Sequence, residues 1–419
     1  MRPPAVMILA GGKGTRLSSI VSDVPKPMAS ISGRPFLEYQ IDFLKRQGFD
    51  RFILLTGHLS GSIKDHFGDG RDFGVSIEYS EEVEPLGTGG AISQALACRD
   101  HSEVLVLNGD SLFTMDYRRF CLLAHGVATL ALYFSHDLAR FGSVSLSDQN
   151  QIAEFKEKSP SNACGYINAG VYHLRRDILG LLPQGRSSIE KDVFEPVARE
   201  GLLTGIPCGG RFIDIGTPDS YLWAQDQLPS WISQVPRPCL FLDRDGVLIR
   251  HKPYLSQPEE IEILAGSIEL IHWARTMGYW VVVVSNQAGV GRGYFRETDC
   301  ERVNASIRDR LRDASLTIDL WLSCYDHPDR ATLRRKPEPG LLLEACETLP
   351  IDLSKSIMVG DNLTDQIRLP DMESILVQGD FDLTGADPGT IVARDLNEVL
   401  SILKHRKARL GAPYDAPTI

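Results

Sequence analysis

The chain starts twice. After Pro3 and Pro4 an apolar run, Ala5 to Leu9, leads into Gly11, Gly12 and Gly14; after Pro236 and Pro238 a second, Leu240 to Leu242, leads into Asp243, Arg244, Asp245 and Gly246. A short strand that stops at a polar, glycine-bearing turn is how an α/β unit begins, so two such starts call for two folded units. The openings ILAGGKGTRL and LFLDRDGVL share nothing further, which excludes an internal repeat, and a length of 419 residues accommodates two domains. Further aliphatic runs, Phe52–Thr56, Val104–Leu107, Val281–Val284 and Ile357–Val359, alternate with helical patterns. One of these places Phe36, Leu37, Ile41 and Leu44 at helical spacing across 36–47, with Gly48 as its stop. The expected fold is two three-layer α/β domains around largely parallel sheets.

The stretch from Ala224 to Pro238, AQDQLPSWISQVPRP, holds three prolines that remove backbone donors. It predicts a first domain over 1–225, a linker over 226–238, a second domain over 239–405 and a tail over 406–419. The basic segment His405–Arg409 reads as a solvated helix end.

Composition narrows the partners. With 43% hydrophobic and 24% charged residues the chain can bury real cores, and a net charge of -11 opposes nucleic acid and anionic membranes. Small-molecule partners are expected. Eight scattered cysteines form no CxxC or CxC pair, which suits a reducing cytoplasm. The N-terminal apolar run is far too short for an export signal or a membrane span.

Glycines directly after a strand let backbone N–H groups approach phosphate. Their spacing fits neither the GxxxxGK[ST] loop nor the GxGxxG dinucleotide fingerprint. Arg16 at the end of the loop and Lys26 between prolines add two cations, and the set reads as a polyphosphate site. Asp110 follows the Val104–Leu107 run, at the strand end where open α/β sheets bind ligands.

In order, AGGKGTRL, VPKPM, LGTGG, LNGDS, INAGVY and FIDIGTP resemble the sugar-phosphate nucleotidylyltransferases across residues 3–225. VSDVPKPM with GRPFLEY, EPLGTGGAI and SSIEKD is similar, more narrowly, to the D-glycero-D-manno-heptose 1-phosphate guanylyltransferases. The resemblance implies a Rossmann-like domain with Arg16 and Lys26 on the triphosphate and the attacking phosphate. Gly11, Gly12, Gly14, Thr15, Gly87, Gly89 and Asp110 would bind nucleotide, and Asp110 and Asp214 magnesium. Lys158, Asn168, Glu190 and Lys191 would face the sugar phosphate. Ala169 stands where relatives often have a second glycine, which leaves the sugar contacts open.

In the second half Asp243 and Asp245, at i and i+2, point to one crevice. DRDGVL, VVVVSNQ, RRKPEPG and GDNLTD, in that order, resemble the haloacid dehalogenase superfamily over about 237–380. Asp243 would then be the nucleophile and Asp245 the general acid and base. Ser285 and Lys336 would bind phosphate, while Asp243, the backbone of Asp245 and Asp361 would hold magnesium, with Asp365 nearby. DRDGVL, SNQAGVGRG and RRKPEPGLL are similar to heptose 1,7-bisphosphate 7-phosphatases and histidinol-phosphate phosphatases, implying substrate contacts from Asn286, Gln287, Arg292 and Arg335. Those relatives carry Cys-x-His and Cys-x-Cys zinc ligands before the lysine. Here the loop reads SCYDHPDRATLRRKP, with Cys324 alone, so no zinc is expected and the loop must be held by packing or by the other domain.

Together the resemblances imply a bifunctional enzyme that removes the 7-phosphate of heptose 1,7-bisphosphate and joins the resulting heptose 1-phosphate to GTP. Rival readings are a mannose 1-phosphate transferase fused to a histidinol-phosphate-like or polynucleotide phosphatase, or one half kept as a sensing module. The joint presence of Lys26, Asp110, Asp214, Asp243 and Asp361 opposes a mere sensor. The base, the anomer, homo-oligomerisation and channelling stay open at the level of sequence.

Overall fold

A computed structural model describes residues 2–12, 23–138, 143–147, 149–156, 164–370 and 372–410. The strand Ala5–Leu9 has parallel partners on both edges, and Val6, Met7 and Ile8 are fully buried. A strand covered on both faces needs such an unbroken apolar run. Beside it lie Arg51–Thr56 and then Ser76–Glu81 on one edge and Glu103–Asn108 on the other, all four parallel. The helix Phe36–Arg46 buries Phe36, Leu37, Ile41 and Leu44 as expected, and Gly48, at φ +86°, ends it.

The expectation of a largely parallel sheet fails further out. Gly165–Arg175 runs antiparallel to Glu103–Asn108, to Ala128–Ser135 and to Ser143–Leu146, which in turn pairs with Ile152–Lys156. Of these pairs only Ser143–Leu146 and Ile152–Lys156 are joined by a connection too short for a parallel crossover, and Leu203–Pro207 pairs parallel with Ala128–Ser135.

Near Gln234 the chain divides into two compact units. The second has six parallel strands in the order Leu320–Cys324, Trp280–Asn286, Cys239–Leu242, Ile357–Gly360, Glu373–Val377 and Ile391–Ala393. Alternation along the strands builds two cores. Leu240, Leu242, Val281, Val283 and Val359 pack on one face, and Phe241, Val282, Val284 and Met358 on the other. This is the three-layer plan.

In both units the first strand is central and the chain builds outward to one side before crossing to the other. The strand order therefore reverses between Ala5–Leu9 and Glu103–Asn108, and again between Cys239–Leu242 and Ile357–Gly360. Crevices open at the carboxyl ends of strands at such reversals.

The segment expected to be a linker is helical for most of its length. Helix Pro218–Ser233 contains Pro229, leaving the chain extended only over 234–238. Pro229 cannot donate to the Gln225 carbonyl one turn back, and the Ser32 hydroxyl donates to that oxygen instead, at 2.6 Å. A tertiary partner thus removes the cost that argued against a helix. The last helix runs Leu396–Leu410, past the expected domain end at 405, and Arg406 is ion-paired with Glu373. No helix among the described residues is long and apolar enough to cross a membrane.

Candidate active sites

The first crevice is built by close backbone contact. A Cβ on Gly109 would lie 2.5 Å from the Leu9 carbonyl oxygen, so only glycine lets the turn after Glu103–Asn108 fold against the first strand. That turn carries Asp110. The ribbon Ser111–Phe113 pairs antiparallel with Phe212–Asp214, with Asp214 opposite Ser111, and the Ile215 N–H donates to the Asp110 carbonyl at 3.0 Å. Two carboxylates about a hundred residues apart in sequence therefore converge on Lys26, whose Nζ is 2.6 Å from Asp110 and 3.6 Å from Asp214. Pro25 and Pro27 flank Lys26 in a tight 3-10 turn. A Cβ on Gly216 would crowd both Asp214 Oδ1 and Lys26 Nζ, at 2.6 and 2.9 Å.

Lys26, Asp110 and Gly216 open onto a cleft of about 780 Å³ that Gly11, Gly12, Gly87, Thr88, Arg186 and Glu190 also line. Gly87, at φ +70°, and Gly89 admit the segment around Ser187, since Cβ atoms there would stand 2.5 Å from the Ser187 carbonyl and 2.6 Å from its hydroxyl. Glu190 accepts hydrogen bonds from Thr88 Oγ1 (3.1 Å), Ser188 Oγ (2.8 Å) and the buried Tyr172 hydroxyl (3.3 Å). Asn168 Nδ2 donates to that same hydroxyl at 3.1 Å, so Asn168 supports Glu190 through Tyr172. Lys191 is exposed and is not among the described residues lining the cleft. Gly14, Thr15, Arg16 and Lys158 lie outside the described residues.

Two residues escaped the sequence reading. Arg186, on the cleft wall, directly precedes SSIEKD. Gln40 is fully buried on helix Phe36–Arg46, and its amide donates to the carbonyls of Asn108 (2.8 Å) and Ser111 (2.6 Å), which flank the Asp110 turn. A glutamine on the apolar face of the helix was the available signal.

In the second unit Asp243 follows Cys239–Leu242, its N–H donating to the Val359 carbonyl at 2.9 Å, and Asp361 follows the adjacent strand. Oxygens of Asp243, Asp361 and Asp365 lie within 4.8 Å of one another. Gly246, at φ +78°, leaves room for this group, since a Cβ there would collide with Asp361 Oδ2. Lys336 Nζ is 3.0 Å from Asp243 and 2.5 Å from Asp365, and all but buried. Burial alone would lower its pKa, but the two carboxylates outweigh burial and raise it, so the ammonium stays charged. Burial, reinforced by neighbouring carboxylates against the pull of Lys336, pushes Asp243 up to about 7 and Asp361 up to about 8.

The carboxylate grouping includes Asp365 and not the Asp245 side chain. Asp245 Oδ2 instead accepts from Arg244 Nε (3.0 Å) and Gln287 Nε2 (2.9 Å). Asp365 is engaged by Lys336 and by the Asn362 N–H, whereas the buried Asp361 Oδ2 has no hydrogen-bond partner. An orphaned carboxylate oxygen facing a second carboxylate is a donor set that fits a hard divalent cation such as magnesium. Asp110 and Asp214, gathered around the Lys26 ammonium, are two carboxylates of the type such a cation takes.

Ser285 is buried and accepts from Gln287 Nε2 at 2.7 Å. Asn286, expected to contact substrate, exchanges two hydrogen bonds with the Lys336 backbone, at 3.0 and 3.1 Å. Gln287 bridges Asp245, Ser285 and Arg244. Both amides are thus engaged in building the site. Arg292 is exposed; Arg335 is half-buried beside Lys336, with a buried Nη1 lacking a partner. The Cys324–Lys336 loop is held by its own residues and by the helix that follows it: Asp326 Oδ2 accepts from the Thr332 N–H and hydroxyl, both at 2.7 Å, and Arg334 forks onto Glu344 of helix Gly340–Thr348.

The family described as Nucleotidyl transferase matches residues 5–230, and that described as Polynucleotide kinase 3 phosphatase matches residues 240–386. The first half is 41% identical over 230 residues to the D-glycero-alpha-D-manno-heptose 1-phosphate guanylyltransferase of Aneurinibacillus thermoaerophilus, covering 54% of this chain and 99% of that protein. It is 40% identical to the protein of the same description in Campylobacter jejuni, covering 51% of this chain and 96% of that protein. Identity to the mannose-1-phosphate guanylyltransferase of Mycobacterium tuberculosis is 32%, covering 55% of this chain and 66% of that protein.

Proposed function

As the chain belongs to the nucleotidyl transferase family over residues 5–230, we propose that its first half makes GDP-heptose and pyrophosphate from GTP and D-glycero-D-manno-heptose 1-phosphate. The second half, a haloacid dehalogenase-like phosphatase, supplies that substrate by removing the 7-phosphate of the 1,7-bisphosphate. The observation that carries this reading is the joining in one chain of a nucleotidyl transferase match over 5–230 and a phosphatase match over 240–386, the first half 41% identical to a heptose 1-phosphate guanylyltransferase over nearly all of that protein. Mannose 1-phosphate is the weaker reading, because identity drops to 32% and coverage of the relative to 66%.

Magnesium, held by Asp110 and Asp214 in one half and by Asp243, Asp361 and the Asp245 backbone carbonyl in the other, would offset charge on the phosphoryl oxygens. Lys26, with Arg16, draws the sugar phosphate and the triphosphate together against their repulsion. The glycines of the cleft admit nucleotide phosphates to the backbone, and Glu190, aligned by Thr88, Ser188 and Tyr172, accepts from sugar hydroxyls. In the second half a carboxylate oxygen of Asp243 attacks phosphorus, and the leaving alkoxide takes a proton from Asp245. Asp245 then takes a proton from the water that cleaves the aspartyl-phosphate. Ser285 and Lys336 hold the phosphate oxygens. We place the enzyme in a reducing cytoplasm, a reading supported by eight unpaired thiols.

The test supplies purified protein with heptose 1,7-bisphosphate, magnesium and each nucleoside triphosphate in turn, following phosphate and pyrophosphate separately. Phosphate release without nucleotide, and pyrophosphate release with GTP above all others, are the expected results. Release of neither product under any condition overturns the proposal. A 3′-phosphorylated oligonucleotide, included because of the family matched over 240–386, should be a poor substrate for a chain of net charge -11.

A further inference from the structure

Arg244 lies between Asp243 and Asp245, yet it is among the most deeply buried large side chains, with 1% of its surface exposed. A guanidinium withdrawn from water must be fully partnered. Its partners come from two separate stretches of chain and from its own neighbour. Nε donates to Asp245 Oδ2 at 3.0 Å, and Nη2 spans the carboxylate, 2.9 Å from Oδ2 and 3.2 Å from Oδ1. Nη2 also donates to Gln287 Oε1 at 2.9 Å, and Nη1 to Asn304 Oδ1 at 3.1 Å. Asn304 sits on helix Glu297–Asp313 and is itself anchored, its Nδ2 donating to Glu301 Oε1 at 3.2 Å. The amide of Gln287 closes the circuit by donating to Asp245 Oδ2 at 2.9 Å.

We propose that Arg244 is a positioning residue for the phosphatase, a buried fork that fixes the Asp245 carboxylate against the wall formed by Gln287 and Asn304 and leaves Oδ1 as the oxygen that exchanges the proton. Oδ2 accepts from both Arg244 Nε and Gln287, whereas Oδ1 has only the longer bond to Nη2. A planar guanidinium holds both carboxylate oxygens at once, which a lysine ammonium cannot do. Without the fork, rotation of Asp245 would move the proton donor off the leaving oxygen, and misplacement of about an ångström is enough to lose a large part of the rate. The inference rests on the phosphatase reading above.

The experiment compares an alkyl sugar phosphate, whose leaving alkoxide needs the proton, with p-nitrophenyl phosphate, whose phenolate leaves without one. Arg244→Met should lower kcat on the alkyl phosphate about a hundredfold or more, the range general acid catalysis supplies, and lower kcat on the aryl phosphate less than about fivefold. Arg244→Lys, which keeps a buried charge and guards against misfolding of the methionine variant, should show the same selective loss. Equal losses on both substrates, no loss on the alkyl phosphate, or full recovery of the alkyl rate by lysine would each overturn the positioning role. The alkyl substrate is heptose 1,7-bisphosphate, and if the wild-type chain releases no phosphate from it, the phosphatase reading itself fails and this inference with it.

Discussion

At the scale of single residues the phosphatase site is a balance of buried charge. Asp243 and Asp361 have raised pKa values, about 7 and about 8, with burial the main cause. A carboxylate whose folded pKa exceeds its unfolded value near 4 retains a proton in the native state that the unfolded chain releases. Stability therefore falls as pH rises through that interval, the reverse of an ion-paired carboxylate. Thermal melts in excess chelator should give a lower Tm for the second unit at pH 8.0 than at pH 5.5. Magnesium should recover more of the Tm at the higher pH, and Asp361→Asn should flatten the dependence. A chelated Tm that rises with pH over this range would contradict the assignment. Asp243, Asp361 and Asp110 were legible in the sequence because each follows a strand in a short glycine-bearing motif, and Lys26 because it lies between two prolines. Arg244, Gln40 and Arg186 were not, because their roles come from partners remote in the chain or from the wall of a cleft. Asn286 and Gln287 were expected from the sequence to contact substrate; their hydrogen bonds, to the Lys336 backbone and to Asp245 and Ser285, engage them in building the site.

At the scale of elements, helices brace turns. Helix Phe36–Arg46 reaches through Gln40 to both sides of the Asp110 turn. Gln40→Leu leaves two carbonyls without their donor, at about 1–3 kcal/mol each where they are buried. The turn should loosen, so transferase activity should fall about tenfold or more with a higher magnesium requirement, while phosphatase activity is unchanged. Guanidinium melts together with a magnesium titration of pyrophosphate release would check this; a variant that loses stability but keeps its magnesium dependence would show that Gln40 serves the fold alone. Proline patterning misled at this scale for a related reason. Pro229 does remove a helix donor, but the carbonyl it strands is met by Ser32, close to two hundred residues away in the chain. Local propensity cannot register a partner so remote in sequence.

At the scale of the whole molecule, each unit carries its own core and its own strand-order reversal, so disabling one site should spare the other. Asp243→Asn should stop phosphate release while heptose 1-phosphate guanylylation continues at the wild-type rate. Lys26→Ala should cut guanylylation roughly a hundredfold or more and leave phosphate release intact. Assaying both products for both variants checks the pair, and loss of both activities in either variant would contradict independent sites. By itself the sequence determined that there are two α/β units, where their first strands end, and that Asp110, Asp243 and Asp361 each follow a strand, because apolar periodicity and turn chemistry are local properties of a chain. The tertiary structure alone decided the antiparallel extension of the first sheet, the helix through Pro229, the meeting of Asp110 with Asp214, and the burial of Arg244 beneath Asp245. Each depends on a partner that folding brings near, and the energy of burying a polar or charged group is fixed by that partner rather than by the neighbours in sequence.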